Sequence, residues 1–142
     1  MINYIFDTDH LSLIQRNNQE GKNILKKLMA VENPRIAVTI ITYEEQVRGR
    51  LLFIAKAKNT EQQLLGYQGL QNLLINYQSI IVIPFKYEAI IEYQKLRKKY
   101  PRLGSMDLKI ASITITNNAI LLTRNNQDFT KITELKIEDW SF

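Results

Sequence analysis

Tyr4-Ile5-Phe6-Asp7-Thr8-Asp9 sets an apolar run directly against an acid and then turns polar. Ile2 to Phe6 has the composition of a short buried strand, closed by Asp7. Residues 9–16 continue as a helix that stops in Asn17-Asn18-Gln19-Glu20-Gly21. A strand that ends in an acid and passes straight into a helix is half of a crossover unit. The rest of the chain repeats that alternation. Helical spacing of Ile24, Leu25, Leu28 and Met29 predicts a helix over 22–31, closed by Asn33-Pro34. A second strand is expected at 36–38 and a long helix at 42–58, with Val47, Leu51, Ile54 and Ala55 on its apolar side. Thr60-Glu61-Gln62-Gln63 has the form of a capping box opening a helix with Leu64, Leu65, Leu73 and Leu74, interrupted by Gly66 and Gly69. A β-branched run at 80–83 predicts a third strand, and residues 85–99 a helix closed by Tyr100-Pro101. Ser105 is placed to cap a helix over 106–117, followed by a strand at 119–122 and an edge strand at 135–137.

Strands separated by helical crossovers specify an α/β fold, with a mainly parallel central sheet of four to five strands flanked by helices. At 142 residues, with no repeat and no linker, a single domain spanning 1–142 is expected. The chain has no cysteine, which excludes disulfides, thiol nucleophiles and thiolate metal sites. No signal peptide or membrane span is read from it, so a cytoplasmic location is expected. The formal charge of +5 favours polyanionic partners, nucleic acid first among them.

In open parallel sheets ligands gather beyond the carboxyl ends of the strands. Asp7 follows the first strand, Asp128 lies in the loop after the fourth, and Glu45 and Asp107 fall early on helices that can open at the same end. Carboxylates brought together repel one another, so a fold that gathers them commonly holds a cation there. Each also has a plainer reading. Asp7 is a good helix cap and Asp9 a first-turn acid. Thr42-x-x-Glu45 is itself a capping box, and the local residues do not choose between Glu44 and Glu45. Asp107 is an ordinary first-turn acid, although Ala111 and Thr114 make its face small; Asp128 sits in a loop where a turn role is usual. Arg48, Arg50 and Arg124 are candidates for phosphate contacts. Lys95, Arg97, Lys98, Lys99 and Arg102 read as a solvated face, His10 as surface or packing, and Trp140 as packing.

Taken in order, these residues resemble the PIN domain, and within it the VapC-type toxins of toxin–antitoxin pairs. The resemblance runs from Phe6-Asp7-Thr8-Asp9 through Thr42-x-x-Glu45-x-x-x-Gly49 and Asp107 with Ile110-Ala111. It ends at Leu122-Thr123-Arg124-Asn125-x-x-Asp128-Phe129 and Glu138-Asp139-Trp140. It implies a PIN-like three-layer sandwich and a Mg²⁺- or Mn²⁺-dependent endoribonuclease. It also implies an acidic quartet of Asp7, Glu45, Asp107 and Asp128, selecting Glu45 over Glu44. Asp7, Asp107 and Asp128 are then the implied metal ligands, with Thr8 and Asn125 in support. An RNA substrate, a cognate antitoxin and a homodimer follow from the same resemblance. Asp9 departs from the family, which commonly has Asn there, and its role stays open. Two alternatives remain. One is a catalytically inactive α/β module binding RNA or protein. The other is a haloacid-dehalogenase-like phosphatase using Asp7 and Asp9, against which stands the absence of the expected Gly-Thr after Asp9.

Overall fold

The computed structural model describes residues 1–142. Its elements run β1 (Tyr4–Phe6), α1 (Thr8–Arg16), α2 (Gln19–Ala30), β2 (Ile36–Thr39), α3 (Ile40–Ala55) and α4 (Thr60–Tyr77). They continue with β3 (Val82–Ile83), α5 (Tyr87–Lys99), α6 (Ser105–Thr116), β4 (Ile120–Leu122), α7 (Asn126–Phe129) and β5 (Ile137–Glu138). All strand pairs are parallel and the order is β3-β2-β1-β4-β5, so β5 occupies an edge as expected.

The three central strands bury both faces. Ile5, Ala37 and Leu121 face a core built with α5, α6 and the segment 129–135, while Phe6, Val38 and Leu122 face a second core with α1, α2 and Trp140. Successive strand residues point to opposite sides of a sheet, so one alternation supplies both layers of packing. The chain builds outward from β1 to β2 and β3, then returns to place β4 on the other side of β1. The gap between β1 and β4 is therefore the switch point of the sheet, where such folds open a crevice. No helix is long and apolar enough to cross a membrane.

Several helix starts differ from expectation. The helix expected over 22–31 begins at Gln19, because Asn18 caps it by accepting from Gly21 N at 2.9 Å. β2 runs straight into α3, so the cap is Thr39, whose side chain accepts from Thr42 N at 3.2 Å. Thr42 sits inside the helix, and Thr42-x-x-Glu45 is not a capping box. In α4 the cap is Asn59, a stronger capping residue than Thr60; it accepts from Gln62 N at 2.8 Å, and Gln62 reaches back to Lys58 N at 2.7 Å. The cap sits one residue earlier than read, and the return bond reaches the residue before it. Gly104 holds the cap position of α6 without a side-chain bond, and the Ser105 hydroxyl pairs with that of Tyr93 at 2.9 Å instead.

The apolar side assigned to α3 and α4 also needs revision. Leu51, Leu64, Leu65 and Leu74 are at least half exposed, whereas Leu73 is buried. The two helices form a hairpin that meets at the glycine. A Cβ on Gly66 would stand 2.8 Å from Ile54 Cγ1, so the residue that weakened the helix prediction lies where α4 packs tightly against α3.

Candidate active site

Asp7 leaves the carboxyl end of β1, with its N–H donating to Leu122 O of β4 at 3.0 Å. It is both cap and site residue. Oδ1 accepts from Thr8 N at 2.8 Å, fixing the start of α1, and Oδ2 accepts from the Thr123 hydroxyl at 2.9 Å. Thr123 follows Leu122, which pairs in register with Phe6, so the sheet places it opposite Asp7. Its hydroxyl also accepts from Asn125 N at 2.9 Å, which leaves its proton for the carboxylate. Sequence reading missed Thr123 as a supporting residue. The available signal was a buried threonine one step beyond the strand that pairs with the Asp7 strand.

Glu45 enters from α3. The Thr8 hydroxyl lies 3.2 Å from Glu45 Oε1 and 3.1 Å from the Thr42 hydroxyl, so Thr8 ties α1 to the buried first turn of α3. Glu44 points away and pairs with Arg48 at 2.7 Å on the solvent side. Asp107 comes from the first turn of α6. The small residues on its face, Ala111 and Thr114, are fully buried in the core rather than open to a ligand. Asp128 lies on α7, whose cap is Asn125, with Asn125 Oδ1 accepting from Asp128 N at 3.4 Å. The Asp128 side chain is 42% exposed, with Oδ1 4.0 Å from Lys131 Nζ.

Asp7, Thr8, Asp9, Glu45, Asp107, Arg124 and Asn125 line an open cavity of about 410 Å³ with no apolar residue in its wall. Its electrostatics follow from crowding and burial. Asp7 is 7% exposed. Burial pushes its carboxyl up to about 6, with further upward pressure from Asp107 and Glu45, against the downward pull of the Thr123 and Thr8 hydrogen bonds. Burial raises Glu45 as well, opposed by Thr8 and aided by the charges of Asp107 and Glu44. Asp107 is raised by burial and then by the charge of Asp128, which is how Asp128 makes itself felt in the cavity.

No three acidic or histidine side chains are clustered tightly enough to hold a metal as they stand. The donor set nonetheless suits a hard divalent ion. It is all oxygen and anionic, it faces water, and Mg²⁺ retains much of its hydration while using only one or two carboxylates.

Asp9 is committed elsewhere. Arg124 Nε donates to Asp9 Oδ2 and Nη2 to Oδ1, both at 2.8 Å. That pairing holds the Asp9 carboxyl below the usual range. Both of its oxygens are engaged by Arg124, so the phosphatase role that required Asp9 as acid–base finds no support in the geometry. Of the other arginines, Arg48 is held by Glu44 and Arg50 donates to Gly69 O at 3.3 Å on the α3–α4 hairpin. Only Arg124 of the three lines the cavity. His10 is fully buried, its Nε2 accepting from Trp140 N at 3.1 Å, and burial lowers its affinity for a proton. Trp140 is a core residue, its ring 4.9 Å from that of Tyr4.

The family model of the PIN domain matches residues 4–135, nearly the whole chain and every residue of this cavity. The chain belongs to the PIN domain family. Among curated relatives of this PIN domain, Ribonuclease VapC1 of Haemophilus influenzae is 27% identical over 143 residues, covering 97% of this chain and 98% of the relative. Ribonuclease VapC2 of Rickettsia felis is 29% identical over 142 residues, covering 96% and 97%. Among solved structures, VapBC-1 from nontypeable Haemophilus influenzae superposes with a TM-score of 0.76 at 26% identity over 100% of both chains. VapBC2 from Rickettsia felis, bound to a DNA fragment from its promoter, gives 0.74 at 29% identity over 99% of both.

Proposed function

We propose that this PIN domain is a divalent-metal-dependent endoribonuclease, the toxin of a VapBC-type toxin–antitoxin pair, acting as one domain over residues 1–142. The observation that carries the reading is the meeting of Asp7, Glu45 and Asp107 in one polar cavity at the switch point of the sheet, with the charge of Asp128 acting on Asp107. The names of the relatives support the substrate class and the partner.

Asp7, Asp107 and Asp128 are the residues assigned to hold Mg²⁺ or Mn²⁺, directly or through its retained waters. When bound, the ion supplies Lewis acidity and neutralises charge on the reacting phosphate. Glu45, raised by burial, is suited to accept a proton from the attacking water. Thr8 and Thr42 fix the direction of Glu45, and Thr123 fixes that of Asp7. Asn125 stations Asp128 by capping α7. The antitoxin is the expected protein partner, a homodimer the expected assembly, and the cytoplasm the expected location.

The test is cleavage of a panel of tRNAs and structured RNAs with Mg²⁺, with Mn²⁺ and with EDTA. Cutting should require metal, and folded Asp107→Asn and Glu45→Gln should each lose at least about 100-fold in rate. Metal-independent cutting, or full activity in both variants, would overturn the reading.

A further inference from the structure

Asp9 and Arg124 stand 115 residues apart in sequence, yet they form a two-pronged ion pair on the wall of the acidic cavity. Exposed ion pairs contribute little to stability, and this one is substantially exposed, with side-chain exposures of 42% for Arg124 and 35% for Asp9. Its geometry matters more than its energy. A guanidinium carries five N–H donors in a rigid plane, and Asp9 engages two of them along one edge. The remaining donors have no protein partner, and the residue borders Asp7, Glu45 and Asp107. An untethered guanidinium beside three carboxylates would fold onto them and occupy the place of a cation. Asp9 prevents that by matching both of its oxygens to Arg124. Glu20 and Asp139 add to the negative field around Arg124 but form no hydrogen bond with it.

We propose that Asp9 is a positioning residue that holds Arg124 away from the metal-binding acids, with its free edge directed at a backbone phosphate beside the scissile one. This rests on the reading of the substrate as RNA. It assigns Asp9 no part in metal ligation and makes Arg124 the cation that registers the RNA strand over the cavity. No hydrogen bond joins Arg124 to Asp7, Glu45, Asp107 or Asp128, which places it beside the reacting centre and makes its effect one on binding.

The test is a four-way comparison of the unaltered protein, Asp9→Ala, Arg124→Ala and the double variant, each checked for native circular dichroism and melting. Binding of a fluorescein-labelled single-stranded RNA is measured in EDTA across a salt series, separately from cleavage. Arg124→Ala should weaken binding about tenfold and flatten the log–log salt slope by about 0.7, the value for one lost phosphate contact on single-stranded nucleic acid. Asp9→Ala should weaken binding about threefold alone and have no further effect once Arg124 is gone, the non-additivity expected of a coupled pair. Arg124→Lys should keep the salt slope while losing the dependence on Asp9, because a point charge lacks the fork. In cleavage the Arg124 variants should raise KM and leave kcat within about twofold, as loss of uniform binding does. Equal effects of Asp9→Ala in both backgrounds, or an unchanged salt slope in Arg124→Ala, would overturn the assignment. Unaltered protein that binds RNA in this Arg124-dependent way without cutting any would refute the nuclease reading and leave the positioning role standing. Failure to bind RNA at all would refute both.

Discussion

Replacing Asp7 with Asn should make the protein more stable while abolishing its activity. The Asp7 carboxyl has an ordinary value of 3.8 and is pushed up to about 6 in the fold, chiefly by burial. A folded-state value above the unfolded one means that the native protein binds the proton more tightly. Ionised Asp7 therefore opposes folding. The penalty is absent below 3.8, grows as pH rises from there to about 6, and is fully present above. At 1.36 kcal/mol per pKa unit, its full size is about 3 kcal/mol. An Asn at this position has nearly the same shape and stays neutral. Its oxygen can keep the bond from Thr8 N, but the Thr123 hydroxyl must turn to accept from the new amide, and part of the gain is lost there. A net stabilisation of about 2 kcal/mol at pH 8 remains, equivalent to roughly 6 °C in melting temperature for a domain of this size. The assay is urea or thermal unfolding of both proteins in EDTA from pH 4 to 8. The advantage of Asp7→Asn should be largest at pH 8, shrink as pH falls through about 6, and vanish near 4. A variant no more stable than the parent at pH 8, or a gain undiminished at pH 4, would refute the claim that buried charge at Asp7 opposes folding.

Metal binding should follow the same titration in the opposite sense. Mn²⁺ affinity measured calorimetrically should fall as pH drops through about 6, because the proton and the ion compete for Asp7. Saturating metal should raise the melting temperature of the parent and leave that of Asp7→Asn nearly unmoved. Glu44→Gln should cleave RNA at the parental rate and lose at most about 0.5 kcal/mol of stability, since it breaks only an exposed pair with Arg48. Gly21→Ala should destabilise by about 2–3 kcal/mol in urea unfolding, because its Cβ would lie 2.3 Å from the Leu13 carbonyl oxygen, a backbone atom that cannot step aside without prising α2 from α1.

The parallel sheet was legible because its short strands are apolar on both faces and separated by crossover-length segments, as Ile5-Phe6 and Leu121-Leu122 show. The end of the sheet at which the acids gather followed from the same logic. Helix starts were less legible, since several polar residues near each boundary can cap and only the turn geometry decides. Asn59 outcompetes Thr60, and Thr39 precedes Thr42 because β2 and α3 share no loop. The faces of α3 and α4 were misjudged because apolar residues surround both helices, which leaves no single stripe to read. Glu45 and Glu44 were separable only by the resemblance, and the contact of Glu45 with Thr8 gives the physical counterpart. The pairing of Asp9 with Arg124 had no sequence signal, because a contact between residues on α1 and beyond β4 depends on which strands become neighbours.

The pairing of β1 with β4 also fixes when, during synthesis, the cavity can exist. Asp7 leaves the ribosome 116 residues ahead of Thr123, yet the strand that holds its backbone and the hydroxyl that orients its carboxylate come from Leu122 and Thr123. Until they emerge, Asp7 has no fixed direction and Asp128 has not been made. A nascent chain that has not yet reached β4 thus carries Asp7, Glu45 and Asp107 without their arrangement. At elongation rates of about 5–20 residues per second, the interval lasts several seconds. The arranged acids therefore exist only once β4 and α7 have followed Asp7 out of the ribosome.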